Sequence, residues 1–289
     1  MRIGDWILLL ALSLLWGGSF LLIELALAGL PPLTIVWARV ALAALILWGV
    51  IRVSGTRAPA VRLWPPLLVM GLLNNAVPFT LLVSAQTEIT GALASVLNAT
   101  TPLFTVLVAH LATRDERLTP IKLTGVVLGF AGVVAMAAGE RLGGALPAMA
   151  ACLGAALSYG VASVWGRRFR AAGLTPLATA CGQVTASSLL ILPVWLTLDA
   201  PWRMGWPGLG PVLAVVGLAT FCTALAYLLY FRILASAGAT AISLVTFLVP
   251  LSAAGLGFAV LGERLELPHL IGLALILAGL ALIQRRSRA

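Results

Sequence analysis

Apolar residues fall along the chain in ten long runs, at about 5–29, 31–53, 64–85, 91–112, 119–139, 146–166, 174–198, 208–231, 238–261 and 267–284. Each approaches the ~20 residues that a helix needs to cross a hydrocarbon core. Membrane-crossing strands would be about ten residues long with alternating apolar and polar positions. The runs show neither feature, so the pattern predicts helices. Short punctuation separates them: Pro31-Pro32, Glu88 to Gly91, the Arg114 to Arg117 cluster, Gly143-Gly144, Pro201 to Pro207 and Gly238. No connection could hold a soluble domain, so function falls to the helices themselves. The first run follows Arg2 and reaches Ala26-Leu27-Ala28, imitating a signal peptide and its cleavage site. From Trp6 to Ile23 it exceeds a signal core of about 7–15 residues, and it reads as the first span.

Composition makes lipid the solvent. Of 289 residues, 61% are apolar and 9% charged, against roughly a quarter charged in a soluble domain. The net charge of +9 does not imply a nucleic-acid partner, because the bases lie singly between apolar runs rather than in a patch. The bases instead assign sides. With the N-terminus inside, the inner side collects Arg2, Arg52, Arg57, Arg62, Arg114, Arg117, Lys122, Arg167, Arg168, Arg170, Arg232, Arg285, Arg286 and Arg288. The outer side holds Arg141, Arg203 and Arg264, and Arg39 lies within a span. This asymmetry predicts ten spans with both termini cytoplasmic. Arginine outnumbers the single Lys122, as in a high-GC bacterial gene, and the expected location is a bacterial inner membrane. Cys152, Cys181 and Cys222 sit in apolar runs without metal-ligand spacing and read as small buried hydrophobes.

An internal repeat lies at an offset of 144 to 148. Gly29-Leu30-Pro31-Pro32-Leu33 matches Gly173-Leu174-Thr175-Pro176-Leu177; Gly91 matches Gly238; Pro102 matches Pro250; and Glu116-Arg117-Leu118 matches Glu263-Arg264-Leu265. The unit holds five spans, an odd number, so tandem copies lie in opposite orientations. This predicts an all-α integral membrane protein of ten transmembrane helices, residues 1–142 forming one five-helix repeat and 143–289 its inverted copy. Inverted repeats give many secondary transporters two interchangeable conformations around one midplane site.

Leu15-Trp16-Gly17, Pro102, Pro250 and the Gly-Glu-Arg-Leu turn at 262–265, followed by a glycine-spaced span, resemble the drug/metabolite transporter superfamily. The likeness is to its EamA-type members, and closest to the YddG-type amino-acid exporters. It covers the whole chain. It implies a basket of ten helices around a central cavity lined mainly by spans 1, 3, 4, 6, 8 and 9, cytoplasmic termini, and export of amino acids or similar metabolites. The first copy reads Asp115-Glu116 where the second reads Gly262-Glu263, a departure from the motif.

Several intramembrane polar groups are candidates for the chemistry. Glu24 shares a face of span 1 with Ser13, Gly17 and Phe20, flanked by Trp16, about 7 Å from the outer end; Arg39 lies roughly 12 Å in from the outer end of span 2. Buried charge is costly, so the two either handle substrate or protons, or form a structural ion pair, or Glu24 reaches interfacial water. In span 3, Asn74 and Asn75 precede Pro78-Phe79, and the proline frees a backbone carbonyl that a substrate could use. Ser95, Asn98, Pro102 and Thr105 share a face of span 4, and Ser243, Thr246 and Pro250 the equivalent face of span 9. Such proline-interrupted polar stripes in both halves point to a transport site, the alternative being helix–helix hydrogen bonding. Tyr159 and Tyr227 are candidate walls. Tyr230 and Trp165 lie nearer the inner end, where aromatic anchors collect. Gln183 occupies the repeat position of Arg39. His110 and His269 sit at helix ends on opposite sides, where no metal could join them.

No metalloprotease, phosphate-loop or Ser/His/Asp pattern is present, so no cofactor is expected and transport would run on a gradient. The expected function is a secondary transporter exporting amino acids, including aromatic or other amphipathic ones, with a small-molecule substrate and the lipid bilayer as its partners. The alternative is a multidrug or nucleotide-sugar carrier of the same fold. An intramembrane enzyme would need a carboxylate pair or ligand set that Glu24 alone does not supply. The oligomeric state is left open, a monomer included.

Overall fold

The computed structural model describes residues 3–113, 118–137 and 145–284, the side chains of 239–241 excepted. The Glu116-Arg117 turn, with Arg2, Arg114, Asp115, Arg141, Gly143-Gly144 and the terminal arginines, lies outside the described residues. Within them all regular structure is helical. The spans are α1 (Ile3–Leu27), α2 (Pro32–Ser54), α3 (Val61–Ala85), α4 (Gly91–Ala112), α5 (Pro120–Ala137), α6 (Ala145–Ala171), α7 (Pro176–Leu198), α8 (Leu209–Gly238), α9 (Val245–Leu261) and α10 (Leu267–Gln284).

The halves interlock about a pseudo-two-fold axis. α5 packs on α10 and α2 on α7; α1 packs on α9 as α6 does on α4; α3 packs on α6 as α8 does on α1. Tails of lipid are as apolar as leucine, so contact between helices comes from close fit rather than from expelling water. The fit is tightest at small residues. A β-carbon on Gly17 of α1 would lie 2.8 Å from the backbone nitrogen of Ala253 in α9, and one on Gly160 of α6 would lie 3.0 Å from the backbone of Thr105 in α4.

Sequence features explain where the helices start and stop. α2 begins at Pro31-Pro32, which can offer no side-chain cap. Its Thr34 N–H and hydroxyl are met instead by Asp199 at the end of α7, each at 2.7 Å, and Trp195 donates to the same hydroxyl at 2.9 Å. α9 ends at Gly262, φ 69°, in the left-handed region that glycine enters without strain. The turn returns the N–H groups of Gly262 and Glu263 to the carbonyls of Phe258 and Gly257. This folds the Glu263 side chain back toward α4.

Four helices are irregular, in repeat-related pairs. α3 contains a π-helical turn over Leu72–Ala76 and α8 one over Thr220–Leu225, the same 148 residues apart as Pro102 and Pro250. In α3 the turn hands the Val77 N–H to Leu72, so the carbonyl of Leu73 would next look to residue 78. Pro78 has no N–H, and the Ser158 hydroxyl donates to Leu73 instead, at 2.6 Å. The freed carbonyl expected to serve a substrate is therefore taken by α6. α4 breaks at Ala99–Thr100, where Pro102 cannot bond the Asn98 carbonyl and the Thr101 hydroxyl does so at 2.7 Å. The span-9 boundary also shifts. Gly238 (φ 81°) breaks the chain after α8, one helical turn runs to Ile242, and the main helix begins at Val245. Ser243 thus lies in the break rather than on the α9 face.

Candidate substrate cavity

A cavity of about 540 Å³ lies at the centre of the bundle, within the 300–1,000 Å³ range of small-molecule sites. Every span except α5 and α10 lines it. The wall therefore includes α2 and α7, through Arg39 and Gln183, beyond the six spans implied by the family resemblance. It extends from Ile23, Leu82 and Ser95 at one end to Arg167, Arg170 and Leu234 near the ends of α6 and α8.

Arg39 is the charged group in the middle of this wall. It is 5% exposed, donates from Nε to the Thr223 hydroxyl at 2.9 Å, and rests 3.9 Å from the Phe79 ring centroid. Tyr159, Tyr227 and Cys222 surround it. The π turn of α8 places Thr223, whose own hydroxyl returns five residues to the Leu218 carbonyl at 2.9 Å. Guanidinium carries five donors, and no carboxylate answers them among the described residues. Expected depth suggested pairing with Glu24, and that pairing does not occur. Glu24 accepts from Gln86 Nε2 at 3.2 Å and from the Gly91 N–H at 3.1 Å, while Arg39 turns inward to α3 and α8. Similar depth brought them to one level, but they face different neighbours.

An amide cluster stands beside the arginine. The π turn of α3 presents Asn74 and Asn75 together, and both Nδ2 groups donate to the Tyr227 hydroxyl, at 3.3 and 3.1 Å. Gln183 hydrogen-bonds the same phenol. Asn98 Oδ1, Gln183 Oε1 and Asn75 Oδ1 are buried with no acceptor bond among the described residues. Asn98 and Gln183 line the cavity, but these oxygens are buried within its wall. Replacing Tyr227 by Phe is expected to lower the unfolding midpoint in detergent, at a cost of about 1–3 kcal/mol, because the amides gathered on its oxygen lose that partner. Adding Asn75→Leu to Tyr227→Phe should recover part of that loss, since removing both partners costs less than stranding one.

The remaining wall is aromatic and apolar. Trp16 and Tyr230 lie 5.8 Å apart at 38°, with Phe20, Phe79 and Tyr159 nearby. Tyr230 lines the cavity instead of anchoring an interface, because α8 continues eight residues beyond it. Of the candidates, Trp16, Arg39, Asn74, Phe79, Ser95, Asn98, Tyr159, Gln183, Tyr227, Thr246 and Pro250 line the space. Asn75 supports Tyr227 from behind; Ser243, Pro78 and Pro102 shape the helices; Glu24 faces away. The hydroxyls of Ser95 and Thr246 return to their own helices, at the Ala92 and Ser243 carbonyls, rather than tying helices together. His110 and His269 each accept an N–H at a helix end, from Leu118 and Glu266. Met70, Ser163, Thr179, Arg167 and Arg170 also line the space, at positions set by helix crossings that one sequence does not record.

The sequence matches the EamA-like transporter family twice, over residues 4–138 and 146–285. The chain belongs to that family. It is 28% identical to the uncharacterized transporter YvbV of Bacillus subtilis, across 98% of this chain and 92% of that one. It is 25% identical to the uncharacterized inner membrane transporter YedA of Escherichia coli K12, across 95% and 89%, and 29% identical to protein PecM of Dickeya dadantii, across 82% and 79%. A solved crystal structure superposes along the whole of both chains with a TM-score of 0.70 at 22% identity, a likeness of fold. The chain is thus an EamA-like membrane transporter with the two inverted five-helix repeats and central cavity expected.

Proposed function

We propose that this transporter exports small amphipathic carboxylates, foremost amino acids with apolar or aromatic side chains, across a bacterial inner membrane. The observation that carries the reading is Arg39, a buried guanidinium without a carboxylate partner among the described residues, facing a cavity walled by aromatic, apolar and amide side chains. Such a charge is stable only if an anion or water answers it, and a substrate carboxylate meets its fork with two parallel hydrogen bonds. Trp16, Phe20 and Tyr230 suit an apolar side chain. Cationic drugs are disfavoured, since no Asp or Glu lines the cavity among the described residues.

The basic residues support cytoplasmic termini, and the repeat supports division near residue 142. The cavity then reaches toward the cytoplasm past Arg167 and Arg170, as an exporter awaiting substrate requires. Counterflow in proteoliposomes tests the substrate. Labelled leucine or phenylalanine should exchange saturably, their amides and decarboxylated amines should not, and nucleotide sugars should neither exchange nor compete. Equal exchange of the acids and the amines would overturn the reading. Reporter fusions after Ser54 and after Ala289 should both register inside; an external signal at Ala289 would break the topology.

A further inference from the structure

Away from the cavity, two carboxylates from different halves converge on one helix start. Glu24 Oε2 accepts the Gly91 N–H at 3.1 Å, and Glu263 Oε2 accepts the next N–H, that of Ala92, at 3.2 Å. Adjacent backbone donors hold different acids, so the two side chains are hydrogen-bonding neighbours. Both are half-buried. The positive start of a helix steadies one carboxylate well, but a second in contact repels the first unless a proton lies between them.

Gln86 gives an independent sign. It is 5% exposed, its Nε2 donates to the Phe20 carbonyl and to Glu24, and its Oε1 is buried without a donor among the described residues. With a neutral carboxamide rather than a cation beside Glu24, no positive charge among the described residues on this side offsets the second carboxylate. A metal ion fits poorly, since the Gly91 and Ala92 N–H groups and the Gln86 amide already point positive hydrogen at these oxygens. Among the described residues no cation faces Glu24 from the elements packed on it: α1 and α3 offer Phe20 and Gln86, α4 its backbone, and the turn after α9 offers Glu263. Arg264 on that turn is exposed, and His269 of α10 accepts the Glu266 N–H.

We propose that Glu24 and Glu263 form a proton-binding latch in which one shared proton holds the turn after α9 against the start of α4. When the proton leaves, the like charges separate the turn from α4, and that side of the transporter opens. The proton moves to water and returns from it, with no other bond made or broken. The latch joins the first repeat to the second, so its state sets which face of the bundle is closed. This inference stands apart from the substrate proposed above: it concerns the seal on the Glu263 side and holds for any cargo.

Spin labels on Thr87→Cys and Arg264→Cys, two exposed sites on either side of the latch, read its state in nanodiscs without any substrate. Cys152, Cys181 and Cys222 are buried, and label counting checks that they stay unmodified. Raising the pH from about 5 to about 9, a span that covers coupled carboxyl titrations, should lengthen the distance by about one helical turn, ~5 Å. Glu24→Gln supplies a permanently neutral partner and should hold the short distance at every pH, as should Glu263→Gln. In the unsubstituted protein, infrared spectra should show a protonated carboxyl band at acid pH that disappears on titration and stays absent in the Glu24→Gln protein. This second measurement decides the matter if a variant misfolds. A pH-independent distance, an undiminished pH response in Glu24→Gln, or no protonated carboxyl in the native chain would overturn the latch.

Discussion

Replacing Arg39 by glutamine is expected to abolish saturable exchange of carboxylate substrates while leaving the empty protein as stable as before, or more so. The two halves of that statement come from one fact. The guanidinium is buried and without an ionic partner among the described residues, so in the absence of ligand it is a cost to the fold; neutral replacement of buried ions is often neutral or stabilising. On the proposed reading the same group answers the substrate carboxylate in the loaded state, and truncating one member of a buried charged pair costs about 2–5 kcal/mol. The weakening in apparent affinity should thus reach about thirtyfold to several thousandfold. Lysine at this position keeps the charge but loses the fork and the stacking on Phe79, and should retain a minor part of the activity. Counterflow of leucine, with a thermal melt of the same preparations, checks both halves. A destabilised Arg39→Gln protein that still binds normally would mean the arginine is a structural strut.

Gly17→Val is expected to damage the packing strongly, while the same change at the adjacent Gly18 is tolerated. At Gly17 a β-carbon would meet the Ser252 β-carbon at 2.6 Å, the Ala253 nitrogen at 2.8 Å and the Val249 carbonyl oxygen at 3.0 Å. Two of these are backbone atoms of α9 and cannot rotate aside, so α1 and α9 must part. Overpacking of this kind costs about 1–3 kcal/mol, and it falls at a crossing between halves. At Gly18 the nearest atom is a methyl of Leu256 at 3.6 Å, ordinary contact with a flexible side chain. Melting temperature and exchange rate should both drop for Gly17→Val and change little for Gly18→Val.

The ten spans could be read because lipid demands long apolar runs, and inversion because five is odd. Depth could be estimated by counting residues. Facing could not. Glu24 and Arg39 come to similar depths, yet a helix rotates 100° per residue and no sequence count says which neighbour lies at which azimuth. The π turns add to this. Each inserts extra rotation, and only in α3 does a proline advertise it; Thr220–Leu225 carries no such marker. Asn74 and Asn75 were therefore visible as polar residues near a proline, but their joint grip on Tyr227 was not. Tyr230 was misplaced because α8 runs on to Gly238, its final residues being apolar enough to blur its end with the next run.

Arg39 and Gln183 stand at corresponding places on two helices that the pseudo-two-fold axis exchanges. A perfectly symmetric cavity would give a passenger two equivalent seats, head-first or tail-first, and with arginine at both it would repel itself. Having a cation at one pole and a carboxamide at the other removes the ambiguity. Two related walls thus carry unlike poles, so a polar molecule in the cavity has one favoured heading even though the frame around it is nearly two-fold symmetric.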